Sequence, residues 1–361
     1  KKNLPIIIAD EFVSLKDVFY INFKTFFLLL KLFIYIKRNK NIFFIEGKNC
    51  RNIIEPLLIS SFAGSIQNQI FIGLGLNKFL RTNKVKTFIT YSEFNPSARS
   101  VYFFIRNLEK PPQIVAFQHG NSNANLLYCR HSKNEFTSKL VDDGGYFSPA
   151  PDYYLTQGPQ YSGILKKYFP RKTKIIGALK FDTYKFDKKI NNKILEKLKL
   201  SQKKIVLICP SVGDEDYILE YLKKSLDRKN LYILSPHPSN RKIVIEKYLH
   251  ELKKICEVQV FPEISTNNFL KISDIVLCGY STVAYEALFF GVQPIRIINP
   301  KLPQFHDIND KVQTANHPKK LKIILNAHKL RNKSYLLAKY IENYFFYKLD
   351  NKAHIRFWKF I

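Results

Sequence analysis

The stretch Lys271–Ile297, KISDIVLCGYSTVAYEALFFGVQPIRI, decides the fold class. Ile275–Cys278 is a short apolar run, the pattern of a strand buried on both faces. Gly279 and Tyr280 interrupt it, and Ser281 and Thr282 open a helix over Val283–Phe290. Gly291 closes that helix and Pro294–Ile297 starts the next strand. A helix start that carries hydroxyls directly behind a parallel strand suits a phosphate. Its free N–H groups, the positive end of its dipole and the Ser/Thr side chains all face an incoming anion. Glu286, one turn in, is placed to take the two hydroxyls of a ribose. The plainer reading is that Ser281 caps the helix and Glu286 faces solvent.

The same alternation extends outward from this stretch. Lys204–Cys209 reads as a strand, turned by Pro210-Ser211-Val212-Gly213 into a helix over Glu215–Leu226. Leu231–Leu234 is a strand ending in Ser235-Pro236-His237-Pro238, and Arg241–Ile255 a helix. Earlier strands are predicted at Leu4–Ala9, Asn41–Ile45, Lys86–Thr90, Pro112–Phe117, Pro151–Leu155 and Thr173–Ile176, with helices between. After Pro303 the segments read as helical. This order predicts an α/β protein with two open parallel sheets and right-handed crossovers. The expected domains are 1–180, 181–330 and a helical 331–361 that packs back on the first. Ligands bind beyond the carboxyl ends of such strands. Glu93, His119, Ser211, His237 and Ser281 fall at those ends, which predicts a cleft between two facing Rossmann-like halves.

At 361 residues the chain is too long for one ordinary core. Lys+Arg 58 against Asp+Glu 29 gives a net charge of +29, which calls for an anionic partner such as an acidic substrate or a membrane surface. No basic block lies in a nucleic-acid-binding module, so nucleic acid ranks low. Cys50, Cys129, Cys209, Cys256 and Cys278 are scattered without metal spacing and read as reduced residues of a cytoplasmic protein. No signal peptide is read at the start, and the absence of methionine points to a start upstream. Val18–Ile36 approaches membrane-span length, but Lys24 and Lys31 in its middle make insertion costly. It is read as a core helix of the first domain, with a membrane-surface helix followed by Lys37-Arg38-Asn39-Lys40 as the alternative.

His237, held between two prolines at a strand end, can donate to a phosphate oxygen or act as an acid. The pairing of this His-Pro with Ser281-Thr282 resembles bacterial GT-B glycosyltransferases that use cytidine nucleotides. These include sialyl- and Kdo transferases and the CDP-glycerol glycerophosphotransferases. The resemblance covers most of the second half; in the first, Gln118-His119-Gly120 and the turn around Glu93 look like surface-carbohydrate biosynthesis proteins. It implies a GT-B fold and a metal-independent glycosyltransferase without cofactor. The donor would be a CMP-linked acid sugar, and the acceptor a glycan or lipid-linked glycan at the inner face of the cytoplasmic membrane. His237, Pro238, Ser281 and Thr282 would hold the phosphate, and either Glu286 or the backbone around Pro210, Ser211 and Gly213 the nucleoside. Such enzymes use a carboxylate of the first domain as base. Glu93 is one candidate; Asp142 and Asp143, in a sequence resembling the acidic-Gly motif of sialyltransferases, are the others. His119 would position the acceptor or the sugar carboxylate. Arg99, Lys180 and Arg241 are candidates to face an anionic ligand. Rivals are a CDP-glycerol-type polyol-phosphate transferase, a UDP-sugar transferase or epimerase, and a non-catalytic nucleotide- or glycan-binding subunit.

Overall fold

The computed structural model describes residues 6, 8–45, 47–61, 66–91, 96–120, 150–168, 172–183, 193–200, 203–237, 241–301, 312–327 and 339–361. Glu93, Asp142, Asp143 and Pro238 lie outside them. The described residues group into two compact units. One holds those up to His119 with 150–155, 166–168 and 172–173; the other holds Gly120, 156–165 and 174 onward.

Up to residue 175 the chain runs α1 (Leu15–Arg38), a short antiparallel hairpin of β1 (Phe44–Ile45) and β2 (Lys48–Asn49), α2 (Arg51–Ser60), α3 (Ile66–Thr82), β3 (Thr87–Thr90), α4 (Pro96–Arg106), β4 (Gln113–Phe117), β5 (Tyr153–Thr156), α5 (Pro159–Tyr168) and β6 (Lys172–Ile175). The four longer strands form one sheet in the order β3-β4-β5-β6, and β3, β4 and β5 pair in parallel. Tyr102, Ile105 and Ile114 are fully buried between α4 and the sheet. Helices α3 and α4 approach so closely that a Cβ on Gly73 would enter the Phe104 ring. Asn77 Nδ2 donates to the Phe104 carbonyl at 2.6 Å across the same seam.

The second unit runs α6 (Lys193–Lys199), β7 (Ile205–Cys209), α7 (Glu215–Lys223), β8 (Leu231–Leu234), α8 (Arg241–Leu252), β9 (Glu257–Gln259), α9 (Thr266–Leu270), β10 (Ile275–Cys278), α10 (Val283–Phe289), β11 (Gln293–Ile297), β12 (Gln313–Ala315), α11 (Pro318–Asn326) and α12 (Ala353–Phe360). Its six strands are all parallel, in the order β12-β11-β10-β7-β8-β9. Successive side chains of each strand go to opposite faces. Leu207, Ile233 and Val276 join Phe269 and Leu288 on one face; Val206, Ile208 and Leu277 join Ile218, Leu222 and Tyr248 on the other. Two covered faces are why these strands read as unbroken apolar runs. Each such side chain contributes about 1.5–3 kcal/mol. Gly291 adopts φ +72° just past α10, the left-handed geometry that lets Val292 N donate back to the Ala287 carbonyl at 2.9 Å.

The class expected from the sequence, two α/β units with parallel sheets, is the one found. Four local expectations are corrected. Ala9–Phe12 is a 3-10 turn where Leu4–Ala9 was expected to end as a strand. Lys40–Phe43 is another, and only Phe44–Ile45 of the Asn41–Ile45 segment is extended, paired over two residues. The segment after Pro303 holds a strand, β12, which reads poorly from sequence because Gln313-Thr314-Ala315 is short and mostly polar. Helix α1 is not a core helix: only Ile21, Thr25 and Ile36 are buried.

Candidate functional site

From β7 the chain steps to β8 and β9 on one side, then returns to the other side of β7 to lay down β10, β11 and β12. The order therefore reverses between β7 and β10. At such a switch point the connections leave in opposite directions and open a crevice at the carboxyl edge of the sheet. Cys209 and Cys278, the last residues of β7 and β10, are register partners. The turn Pro210–Asp214 and the turn Gly279–Thr282 consequently start side by side.

One carboxylate locks the two turns. Asp214, 1% exposed, accepts from Ser211 N at 2.9 Å through Oδ1 and from Tyr280 N at 3.2 Å through Oδ2. Gly279 is obligatory beneath it, since a Cβ there would run into the Asp214 carboxylate. Burial pushes Asp214 up to about 6, against the opposing pull of the Tyr280 and Ser211 N–H donors. Gly213 takes φ +91° to complete the first turn, and its N–H donates to Glu215 Oε2 at 2.6 Å. The second turn is braced from β11. Arg296, 1% exposed, donates from Nε to the Gly279 carbonyl at 3.0 Å, and its guanidinium lies 6.0 Å from the Tyr280 ring centroid. The Tyr280 hydroxyl donates to the Asn299 carbonyl at 2.7 Å.

The sequence candidates of this unit distribute around that crevice. Ser281 Oγ accepts from Val283 N at 3.3 Å, so the residue turns the chain into α10, and Thr282 stands immediately before that helix; both are half-buried. Pro210 is buried and Ser211 half-buried behind β7. His237 is exposed past the end of β8, which is held there by the Ser235–Thr266 hydroxyl contact at 2.7 Å. Since β8 and β10 flank β7, their ends lie about 10 Å apart. Glu286 is 8% exposed, not solvent-facing, and pairs with Lys180 Nζ at 2.7 Å. Two residues singled out separately in the sequence are thus partners. The Cys209 thiol, wholly buried beside Cys278 and Glu286, is pushed up; burial lifts Cys278 to about 12.

In the first unit His119 is exposed just past β4, its ring 5.3 Å from that of Tyr91 at the end of β3. The preceding Gln118 is buried, with its N–H on the Leu155 carbonyl at 2.9 Å. Sequence reasoning missed Asp214 and Arg296. Asp214 falls between the turn Pro210–Gly213 and the helix expected from Glu215, where an acidic residue suits the positive end of a helix dipole and draws no further notice. Arg296 carried one signal, a lone cation inside the apolar strand Pro294–Ile297.

No family model and no curated protein matches the chain. Solved structures do. A variant of the wall teichoic acid polymerase TagF soaked with CDPG matches with a TM-score of 0.50 at 14% identity, over 76% of this chain and 70% of that one. MnaA of S. aureus in a co-structure with UDP matches at 0.52 and 14%, over 81% and 78%. The UDP-GlcNAc 2-epimerase of Methanocaldococcus jannaschii, in complex with UDP-GlcNAc and UDP, matches at 0.51 and 14%, over 82% and 81%. At such identities the likeness is one of fold, and it agrees with the GT-B class expected from the sequence.

Proposed function

We propose that the second unit holds the phosphate of a cytidine nucleotide at the β7/β10 crevice. On this reading the chain is a metal-independent GT-B glycosyltransferase of bacterial surface-glycan assembly. It moves an acid sugar, such as Kdo or a nonulosonate, from CMP to a glycan or lipid-linked glycan. The observation that carries the reading is the pair of rigid turns at the switch point, fastened by Asp214 and braced by Arg296. Such a frame fixes N–H donors before the ligand arrives, so little ordering cost remains at binding. The Ser281 and Thr282 hydroxyls and the N–H groups behind β10 face the phosphate. His237 donates from the β8 side. Glu286, anchored by Lys180, takes the ribose hydroxyls, and Pro210, Ser211 and Gly213 line the nucleoside.

In the transfer step the acceptor oxygen bonds to the anomeric carbon and the bond from that carbon to the CMP oxygen breaks. CMP leaves with the electron pair, and the acceptor proton passes to a first-unit carboxylate, with Glu93, Asp142 and Asp143 as candidates. His119 orients the acceptor. A second reading is supported by the fold likeness to TagF soaked with CDPG. There the acceptor oxygen attacks the outer phosphorus of a CDP-linked polyol, a phosphodiester forms and CMP again leaves.

Thermal melts of the chain with CMP, CDP and UDP test the site. Stabilisation by the cytidine nucleotides, lost in His237→Ala, is expected. Stabilisation by UDP alone would move the assignment to a UDP-sugar enzyme, and no response to any nucleotide would leave a non-catalytic subunit. CMP release from CMP-sugars against CDP-glycerol then separates the two transfer readings.

A further inference from the structure

Helix α1 carries three chemically distinct stripes, and only one of them is covered. Residues four and seven apart share a face. The first stripe is Ile21, Thr25 and Ile36, buried against the first unit. The second is Phe19, Phe23, Phe26, Leu30 and Phe33, at intervals of four, three, four and three, pointing away from it. Phe19 is 74% exposed, Phe23 65% and Phe26 56%. The third is Lys24, Lys31 and Arg38, seven apart and so drifting only about 20° per step along one edge of the aromatic face. The only acidic residue of the helix, Asp17, is in its first turn and already engaged by Lys78 at 2.5 Å.

We propose that this face docks on an anionic lipid surface, with α1 lying in the plane of the headgroups. This inference does not depend on the transferase reading. Length and apolarity alone would let α1 cross a membrane, but its fastening says otherwise. It is tied at its start by the Asp17–Lys78 pair, and Ile21 and Ile36, near either end, are each 2% exposed against the unit. A helix about 36 Å long held along the protein at both ends presents its side, not its tip. Lys24 and Lys31 would each cost about a hundredfold or more in the bilayer centre but sit comfortably at headgroup level while phenylalanines enter the acyl boundary. A second copy fits poorly. An antiparallel pair of such faces would set cationic stripe beside cationic stripe, and any pairing brings together two chains of net charge +29. The same charge favours an anionic bilayer, where each basic side chain near the surface strengthens binding about fivefold.

The test uses the full chain with vesicles of phosphatidylcholine alone or in equal parts with phosphatidylglycerol. Flotation with the anionic vesicles only, weakening as salt rises, is expected. Lys24→Gln/Lys31→Gln/Arg38→Gln should weaken it about a hundredfold, and Phe23→Ser/Phe26→Ser should abolish it, with unchanged circular dichroism melts. For depth, Phe26→Trp is placed in a Trp358→Phe background, since Trp358 is the sole tryptophan. Its emission should blue-shift on anionic vesicles and be quenched best by labels near the headgroups. Quenching best at the bilayer midplane would make α1 a span and overturn the proposal. So would equal flotation on neutral vesicles, no flotation at all, or a solution dimer that Phe23→Ser dissociates.

Discussion

The crevice of the second unit and helix α1 of the first invert each other's chemistry. Around β7 and β10 the polar groups are inside: Asp214 and Arg296 are each 1% exposed and Glu286 8%, each with a directed partner. Along α1 the apolar groups are outside, in an aromatic row edged with lysine. Buried polar groups cost free energy unless paired, and exposed aromatic rows cost solubility unless covered. Both arrangements mark positions where a fold departs from its cheapest solution for something it must meet. On the proposed reading the first is a fixed geometry for a small anion. The second is a broad surface without directional bonds.

The comparison breaks most easily at Gly279. Its hydrogen occupies the space beneath the Asp214 carboxylate. Gly279→Val forces the two turns apart, and a loss of about 3 kcal/mol or more in urea unfolding is expected, from overpacking together with two broken hydrogen bonds. Gly47 offers the control: although its φ is +77°, a Cβ there meets nothing within 4 Å. Gly47→Asn should cost well under 1 kcal/mol, because Asn tolerates the left-handed region.

Asp214 itself sharpens the contrast through pH. Its folded value, about 6, lies above that of an unfolded aspartate, near 3.9. The proton is therefore held more tightly in the folded chain. The stability this gives is complete below about pH 4 and is lost as pH rises through about 6. After allowance for solvent screening the loss is about 2 kcal/mol, and above pH 6 it is constant. Asp214→Asn should remove this slope from a series of denaturation curves between pH 4 and 7. It also sets an NH2 against one of the two backbone N–H donors, Ser211 or Tyr280, so its stability at pH 5 should fall below that of the wild type. An unchanged slope would place the proton elsewhere.

How far these features could be read in advance follows from their sequence range. Strand, turn, helix and strand over Lys271–Ile297 are written in neighbouring residues: an apolar run, a glycine, a pair of hydroxyls, a second glycine. The structure returns them within a residue at each boundary. The lock at Asp214 is not local. It joins residues 66 apart, and the Lys180–Glu286 pair joins residues 106 apart. Nothing in either segment announces its partner until the strand order is known. Helix α1 failed for the opposite reason. A helix apolar nearly all round reads as buried by composition, and the cue that separated its faces was the heptad spacing of Lys24, Lys31 and Arg38. The three candidate bases, Glu93, Asp142 and Asp143, lie outside the described residues and stand on the sequence alone, whereas the neighbourhood of His119, read as positioning the acceptor, is described.

Ligand binding offers a smaller but more selective break. A hydrogen bond to a charged phosphate is worth about 1.5–3 kcal/mol. His237→Ala and Ser281→Ala should each weaken CMP or CDP binding roughly tenfold or more by calorimetry. Global stability should move little for exposed His237. Glu286→Gln tests a different point. If Glu286 holds the ribose, affinity falls for nucleotide but not for inorganic phosphate; if it only anchors Lys180, both ligands are affected alike.

The smallest effect expected is at the start of α1, and it bears on what holds that helix in place. Asp17 closes a capping box with Ser14, accepting from Ser14 N at 2.7 Å, and also receives Lys78 from α3. The Lys78 hydrogen bond first, then those of Ser14, bring Asp17 down to about 2. Here the folded value lies below the unfolded one, so the contribution is present above about pH 4 and is lost as pH falls through about 2. The pair is half-exposed and solvent screens it, so Lys78→Ala should lower Tm by only about 1–2 °C at pH 7. The gap between variant and wild type should close on acidification. That sign is opposite to Asp214's, so one pH series separates the two carboxylates. A gap that stays open at pH 2 would mean that Lys78 acts by packing its stem on the helix. The hold on α1 would then be apolar, through Ile21 and Ile36, and independent of the charge that its outer edge presents.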